Sequence, residues 1–176
     1  MFAFILITLL SSPVPRPAQA KAAVDSAAVA RDAVSRFYAW YVPTSANTPL
    51  TDMLALKDAR WRFAPELVKA LRADSTASAK SPDEIVGLDM DPFLNSQDPC
   101  PRYAITGVRR AGADFLVDVH GTGGCGRRGA PDVSVRVAFD AKGPVFVNVV
   151  YSRRRHDDLL SLLAQLAHER ERPRTR

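Results

Sequence analysis

The hydrophobic pattern changes its period midway along the chain. In the first half, apolar side chains recur at three- and four-residue spacing, which is typical of amphipathic helices. After about residue 102 they alternate with polar side chains, which is typical of half-buried strands. A block of helices followed by a block of strands predicts an α+β fold.

Three helices are predicted in the first half. The first covers residues 21–42, because Pro43 cannot continue a helix, and the second covers residues 50–60. The third begins at Pro65 and ends near residue 74, since residues 75–82 are small and polar like a loop. The apolar face of the first helix comprises Ala27, Ala30, Val34, Phe37, Tyr38 and Tyr41.

Four strands are predicted in the second half. They cover residues 103–108, 115–120, 133–139 and 145–151. Short segments rich in turn residues join them, with Gly112 in the first and Gly143 in the last, so each neighbouring pair is expected to be antiparallel. In the last strand the period of two places Val145 and Val147 on one face and Phe146 on the other.

A last helix is predicted after the sheet. It begins near Asp157 or Asp158, either of which is a suitable cap, and Pro173 ends it. Its apolar stripe comprises Leu159, Leu162, Leu163 and Leu166. The predicted fold class is α+β, with N-terminal helices packed on a curved four-stranded antiparallel sheet and with a C-terminal helix.

The first twenty residues have the pattern of a secretion signal. An uncharged apolar run over residues 2–10 precedes Pro13 and Pro15, and Ala18-Gln19-Ala20 offers the small residues of a cleavage site. The run is shorter than the about 20 apolar residues that span a bilayer, and an uncleaved anchor or a buried N-terminal segment is the alternative. No Lys or Arg precedes the run, so we expect a basic segment upstream of Met1.

This pattern predicts a periplasmic or secreted protein with no transmembrane segment in the mature chain. Residues 1–20 are predicted to be the signal, residues 21–170 a single α+β domain and residues 171–176 a basic tail. Four arginines near the C-terminus are expected to lie on a frayed, solvated end. They are Arg170, Arg172, Arg174 and Arg176.

Composition agrees with one globular domain. The chain has 176 residues, of which 47% are hydrophobic and 24% charged, which is enough to bury a core. The formal net charge of +5 is spread along the chain, apart from the C-terminal arginines. This charge favours acidic partners in general and predicts no nucleic-acid partner.

Cys100 and Cys125 are predicted to form a disulfide. In an oxidising compartment an even pair of cysteines usually does so, while a metal site needs more ligands than these two and a catalytic thiol is the third alternative. If the first hairpin turns at Ala111-Gly112, Cys100 lies opposite about Gly123, two residues from Cys125. Both thiols are then within plausible reach at the open end of the hairpin.

The loop over residues 87–101 has no periodicity and carries three carboxylates. Asp89, Asp91 and Asp98 form a pattern that can gather a hard cation such as calcium, but the glycine and glutamate positions of an EF-hand do not match. The competing interpretation, which we favour, is that these side chains and Gln97 cap backbone groups of an irregular loop. The four residues are candidates for ligand binding, and no metal site is predicted.

The polar face of the predicted sheet is a second candidate site. Asp118 and His120 share a face of one strand, Ser134 and Arg136 share a face of the next, and Asn148 lies on the fourth; we call these five residues the polar sheet face. If this face lined a pocket, the carboxylate would orient the histidine as a general base and Arg136 would bind an anion. A solvent-facing polar surface is the simpler interpretation.

Aromatic side chains in the first half form a third candidate. Tyr38, Trp40, Tyr41 and Trp61 are most simply core or rim residues, since helical spacing favours the core for Tyr38 and Tyr41. Alternatively they line the mouth of a pocket between helix and sheet, which makes Trp40 a candidate binding residue.

Three short motifs resemble a known family. They are FYAWY at residues 37–41, LDMDPF at residues 88–93 and QD at residues 97–98, and a valine-rich meander follows them. Together they resemble the domain-of-unknown-function 3828 family of small exported bacterial proteins, over about residues 28–165. The resemblance implies a nuclear transport factor 2-like, or cystatin-like, arrangement of helices against a curved sheet, sometimes enclosing a pocket. No activity is assigned to this family, so the resemblance implies none.

No convincing catalytic set stands out in the sequence. The glycines of residues 121–129 lack the Gly-Lys-Ser/Thr that completes a phosphate loop. We therefore predict an exported, non-enzymatic domain that binds a ligand or a protein, without a cofactor; an immunity-type partner that neutralises another protein is included. The alternative is a small pocket enzyme, an isomerase or hydrolase, that uses Asp118 and His120.

Overall fold

The structure is a computed structural model. It describes residues 17–55, 61–81, 84, 86–126, 129–151 and 157–172, with side chains from residue 25 onwards except at residues 51, 54 and 55. The apolar run of the predicted signal and Arg174 and Arg176 of the predicted tail lie outside the described residues.

Helices come first and the sheet second, with one helix at the C-terminal end. Over the described residues the elements are α1 (Pro17–Ser45), α2 (Leu50–Ala55), α3 (Pro65–Lys80), β1 (Tyr103–Ala111), β2 (Asp114–Gly121), β3 (Val133–Asp140), β4 (Gly143–Val150) and α4 (Leu159–Glu171). The strands form one antiparallel sheet in the order β1-β2-β3-β4. The predicted α+β class, with N-terminal helices, a four-stranded antiparallel sheet and a C-terminal helix, is confirmed.

One face of the sheet and the apolar faces of the helices form the core. Valines of the two central strands are at most 2% exposed: Val117, Val119, Val133, Val135 and Val137. They meet helix residues that are at most 3% exposed, including Ala30, Val34, Phe37, Leu67, Leu71, Leu159 and Leu163. Burial of this apolar surface is the main force that holds helices and sheet together.

Three helix ends differ from their predicted positions. The first is the start of α1, which lies at Pro17, four residues before the predicted start and within the predicted signal. Pro43 lies inside the last turn of α1, where it costs few hydrogen bonds, and the Thr44 hydroxyl donates to the Trp40 carbonyl at 2.6 Å. The third helix continues to Lys80 through the small polar residues that were predicted to be a loop. It continues because Asp74, near its middle, is buried and makes contacts to α4 that outweigh weak local propensity.

Two irregularities change the strand registers. Ala111 faces Asp114, so the first hairpin turns one residue later than predicted, and a register shift follows between Ile105 and Gly107. In β4 a bulge at residue 147 turns Phe146 inward, where it is 4% exposed, against the predicted alternation.

The Cys100–Cys125 disulfide is present, with the two Cα atoms 5.8 Å apart. Gly121 packs against it so closely that an added Cβ would collide with the Cys100 sulfur, and a Cβ at Gly126 would collide with the Gly121 carbonyl. The glycine-rich segment therefore serves close packing around the disulfide. Over the described residues, no helix is both long and apolar enough to cross a bilayer.

Candidate functional site

A short extended segment before α3 is fixed along the edge of β4. The Phe146 amide donates to the Arg62 carbonyl at 2.8 Å, and the Ala64 amide donates to the Phe146 carbonyl at 2.9 Å. Phe63 thereby pairs with Phe146 in a parallel bridge. These backbone hydrogen bonds hold Trp61 and Arg62 at the boundary between helices and sheet.

Phe37 of α1 is the centre of an aromatic cluster. It is 1% exposed, and seven other rings have centroids 5.0 to 6.1 Å from its own. They belong to Tyr38, Trp40, Tyr41, Trp61, Phe63, Phe93 and Phe146. Packed rings have few accessible rotamers, so they form stiff walls.

A cavity of about 290 Å³ opens within this cluster, and we call it the aromatic cavity. Its walls come from α1, α2, α3, the extended segment of residues 61–64 before α3 and the loop of residues 87–101, which we call the acidic loop. The lining residues are Phe37, Trp40, Tyr41, Leu50, Met53, Trp61, Arg62, Phe63, Val68 and Phe93. Small-molecule sites have this character, because an apolar wall binds the body of a ligand and a few polar groups orient it.

Trp61, one of the lining residues, carries an unsatisfied donor. Its indole Nε1 is buried and makes no hydrogen bond. Among the described residues, it is the one buried side-chain nitrogen or oxygen without a partner. Such a donor costs roughly 1–3 kcal/mol relative to a paired one. An acceptor oxygen of a ligand that reaches this nitrogen would remove that cost.

Asp91 and three tyrosines hold the loop that closes the cavity. The Tyr41 hydroxyl contacts both Asp91 carboxylate oxygens, and Asp91 Oδ1 also accepts from the Phe93 and Leu94 amides at 2.9 and 3.0 Å. The Tyr38 hydroxyl donates to the Phe93 carbonyl at 2.6 Å, and the Tyr151 hydroxyl donates to a carbonyl of the same loop at 2.9 Å.

Burial has the largest effect on the pKa values of Asp91 and Tyr41. It raises the pKa of the Asp91 carboxyl in spite of the hydrogen bonds that lower it. Burial and the neighbouring Asp91 charge raise the pKa of the Tyr41 hydroxyl far above its usual value, so this hydroxyl stays protonated. Asp91 caps the loop, because it accepts hydrogen bonds from two of the loop's own amides.

A smaller cleft of about 200 Å³ shares a wall with the aromatic cavity, and we call it the basic cleft. Its lining residues are Ala33, Arg36, Trp61, Arg62, Pro144 and Phe146. Arg62 pairs with Asp140 of the β3–β4 turn through both terminal nitrogens of its guanidinium. This pairing holds the pKa of the Asp140 carboxyl well below its usual range and raises the pKa of Arg62.

The other predicted binding residues of the acidic loop lie apart from the aromatic cavity. Gln97 donates to Asp89 at 3.2 Å on the surface, and Asp98 is exposed. Gln97 and Asp91 line a wider groove of about 830 Å³ beside the C-terminal half of α1. Within the described part of the chain, no three His, Cys, Asp or Glu side chains are grouped to hold a metal ion.

Side chains of the polar sheet face pair with neighbouring side chains of the sheet. Asp118 accepts from the Ser134 hydroxyl at 2.5 Å and contacts Arg109 at 3.5 Å, while Gly107 leaves room for it on the neighbouring strand. Arg136 pairs with Asp114 at 2.7 Å.

Asn148 donates to Asp158, the cap residue of α4, at 2.8 Å. His120 faces Ala104 across the β1–β2 pair. None of the five residues of the polar sheet face lines the cavities and grooves described above. Of the predicted binding residues, Trp40 lines the aromatic cavity.

Sequence reasoning did not single out Arg62, Phe63 or Met53 as site residues. The signal that would have found the first two is the alternation Trp61-Arg62-Phe63 just before Pro65. Alternating aromatic and cationic side chains between two helices indicate a half-buried extended segment, whose aromatic side chains pack inward or bind a ligand. No protein-family model, curated protein or solved structure shows significant similarity to this chain.

Proposed function

We propose that the protein binds a small, largely apolar molecule in the aromatic cavity and does not transform it. The ligand carries a hydrogen-bond acceptor, which pairs with the Trp61 indole N–H. The observation that carries this proposal is the buried, unpartnered Nε1 of Trp61, a residue that lines a cavity of about 290 Å³. That volume suits a single substituted ring better than a long chain or a nucleotide.

The chemistry of the wall supports binding rather than catalysis. The Tyr41 hydroxyl stays protonated and is already paired with Asp91, so it is a poor acid or base near neutral pH. Arg62 is a permanent cation. The alternative enzyme needs an enclosed site around Asp118 and His120, and the contacts of Asp118 with Ser134 and Arg109 favour a structural role there.

We also propose that the protein is exported to the periplasm or secreted and belongs to the domain-of-unknown-function 3828 family, with a nuclear transport factor 2-like arrangement. The Cys100–Cys125 disulfide supports an oxidising compartment. The order of helices before an antiparallel sheet supports the proposed arrangement.

Two matched probes test the binding proposal by isothermal titration calorimetry. Acetophenone offers a ring and a carbonyl acceptor, and ethylbenzene has a similar shape without the acceptor. We expect acetophenone to bind at least fivefold more tightly, because it alone satisfies the Trp61 N–H. Trp61→Phe keeps an aromatic wall but removes the donor, and it should abolish the difference between the two probes.

Two further variants complete the experiment. Val68→Phe fills the cavity from α3 and should abolish binding of both probes, whereas His120→Ala on the polar sheet face should leave binding unchanged. If neither probe binds the folded wild-type protein, the proposed function is wrong. Loss of binding in His120→Ala would move the site to the polar sheet face.

A further inference from the structure

The aromatic cavity and the basic cleft are adjacent parts of one region. Trp61 and Arg62 line both, so these two side chains stand between the apolar space and the cleft. The basic cleft is also lined by Arg36 of α1. An apolar ring in the cavity therefore lies beside Arg62, the one cation among the described side chains that line it, and Arg36 lines the adjoining cleft.

We propose that the natural ligand is an aromatic carboxylate: its ring fills the aromatic cavity, and its carboxylate binds Arg62 and Arg36 at the basic cleft. This inference rests on the proposed function and adds the charge and class of the ligand. Arginine suits this role because its planar guanidinium matches both oxygens of a carboxylate.

The present partners of the two arginines are exchangeable. Arg36 pairs with Asp32 one helical turn away, and both side chains are more than half exposed. Asp140, the partner of Arg62, has a side chain that is 49% exposed in the turn between β3 and β4. Exposed ion pairs contribute little to stability, so a ligand carboxylate can replace Asp140 at small cost.

Arg62 already shows the required geometry. Both of its terminal guanidinium nitrogens contact the Asp140 carboxylate, which is the bidentate arrangement that a ligand carboxylate would adopt. Its backbone is held to β4 by the Phe146 amide, so the guanidinium stays near the cavity when Asp140 is displaced.

Asp140 is then a competitor for the ligand. Removing its charge should free Arg62 and strengthen the binding of an anionic ligand without affecting a neutral one. A merely structural role of the Arg62–Asp140 pair predicts the opposite, since loss of Asp140 would loosen the site for every ligand.

Phenylacetate and phenylacetamide test this proposal, since they have nearly the same shape and both carry an acceptor but differ in charge. Calorimetry at low salt should show phenylacetate binding at least tenfold more tightly than phenylacetamide. Arg62→Gln should remove this preference, and Asp140→Asn should strengthen phenylacetate binding about fivefold while leaving phenylacetamide unchanged. Arg136→Gln, at an exposed ion pair on the polar sheet face, is the matched control and should change neither.

Three outcomes separate this inference from the proposed function. Equal binding of phenylacetate and phenylacetamide, with acetophenone still bound, overturns the carboxylate inference and leaves the proposed function standing. Weaker phenylacetate binding in Asp140→Asn overturns the role of Asp140 as a competitor. If none of the three probes binds, both proposals fail.

Discussion

The Tyr41 hydroxyl lies 3.0 Å from Asp91 Oδ1 and 2.9 Å from Asp91 Oδ2, and it ties α1 to the acidic loop across 50 positions of the chain. Asp91 Oδ1 in turn accepts from two loop amides. One half-buried carboxylate thus fixes both α1, which supplies half of the aromatic lining residues, and the loop that supplies Phe93.

The raised pKa of Asp91 predicts how this carboxylate affects stability. Because burial raises its pKa above the ordinary value of 3.8, the folded protein binds this proton more tightly than the unfolded chain does. Its contribution to stability is therefore present at low pH and is lost as the pH rises from about 3.8 through the raised value. Asp91→Asn removes the titration.

The measurement is urea unfolding of wild type and Asp91→Asn between about pH 3.5 and pH 7. We expect the unfolding free energy of the wild type minus that of the variant to fall as the pH rises, and then to level off. A difference that grows with pH for Asp91→Asn would show that its hydrogen bonds outweigh burial.

Breaking the ion pair between Asp74 and Arg170 should cost more stability than breaking an exposed pair. Asp74 has a side chain that is 6% exposed, and it contacts Arg170 at 2.7 Å and accepts from the Leu88 amide at 3.0 Å. Arg170→Met leaves that carboxylate buried without its cation, and we expect a loss of about 3 kcal/mol in the free energy of unfolding.

Matched variants check this interpretation by urea unfolding. Arg136→Met breaks an exposed pair and should cost about 0.5 kcal/mol or less. Asp74→Asn combined with Arg170→Met should recover part of the loss, because no unpaired charge remains. Equal costs for Arg170→Met and Arg136→Met would show that Arg170 is the frayed end that the sequence suggested.

The disulfide should stabilise the fold by restricting the unfolded chain. Cys100 and Cys125 are 25 positions apart, and closing a loop of that length is worth about 3.5 kcal/mol in the chain-entropy estimate. We expect the Cys100→Ser/Cys125→Ser double variant to lose roughly this amount in urea unfolding. Thiol titration of denatured protein from an oxidising compartment should find no free thiol, and two free thiols would contradict both the disulfide and the export proposal.

Local patterns were enough to predict the elements, and distant contacts explain the differences. The periods of 3.6 and two located the helices and the strands, and Asp158 caps α4 as its position suggested. Arg170 was assigned to a solvated tail because its partner, Asp74, lies 96 positions earlier. The bulge that turns Phe146 inward depends on the neighbouring strand, so the sequence of β4 alone does not reveal it.

The candidate site was only partly predictable for the same reason. Trp40 was singled out, but the cavity exists because Phe37, Trp61 and Phe93 come together from three separate parts of the chain. Carboxylates in the acidic loop looked like ligands, whereas the most buried of them, Asp91, caps its own loop.

Nuclear magnetic resonance of the indole N–H groups tests the central claim most directly. The chain has two tryptophans, Trp40 and Trp61, and both line the aromatic cavity, so the spectrum holds two indole cross-peaks that Trp61→Phe assigns. On saturation with acetophenone we expect the Trp61 proton to shift downfield as it gains an acceptor, and the Trp40 proton to move less. An unmoved Trp61 cross-peak at saturation would contradict the claim that this buried donor binds the ligand.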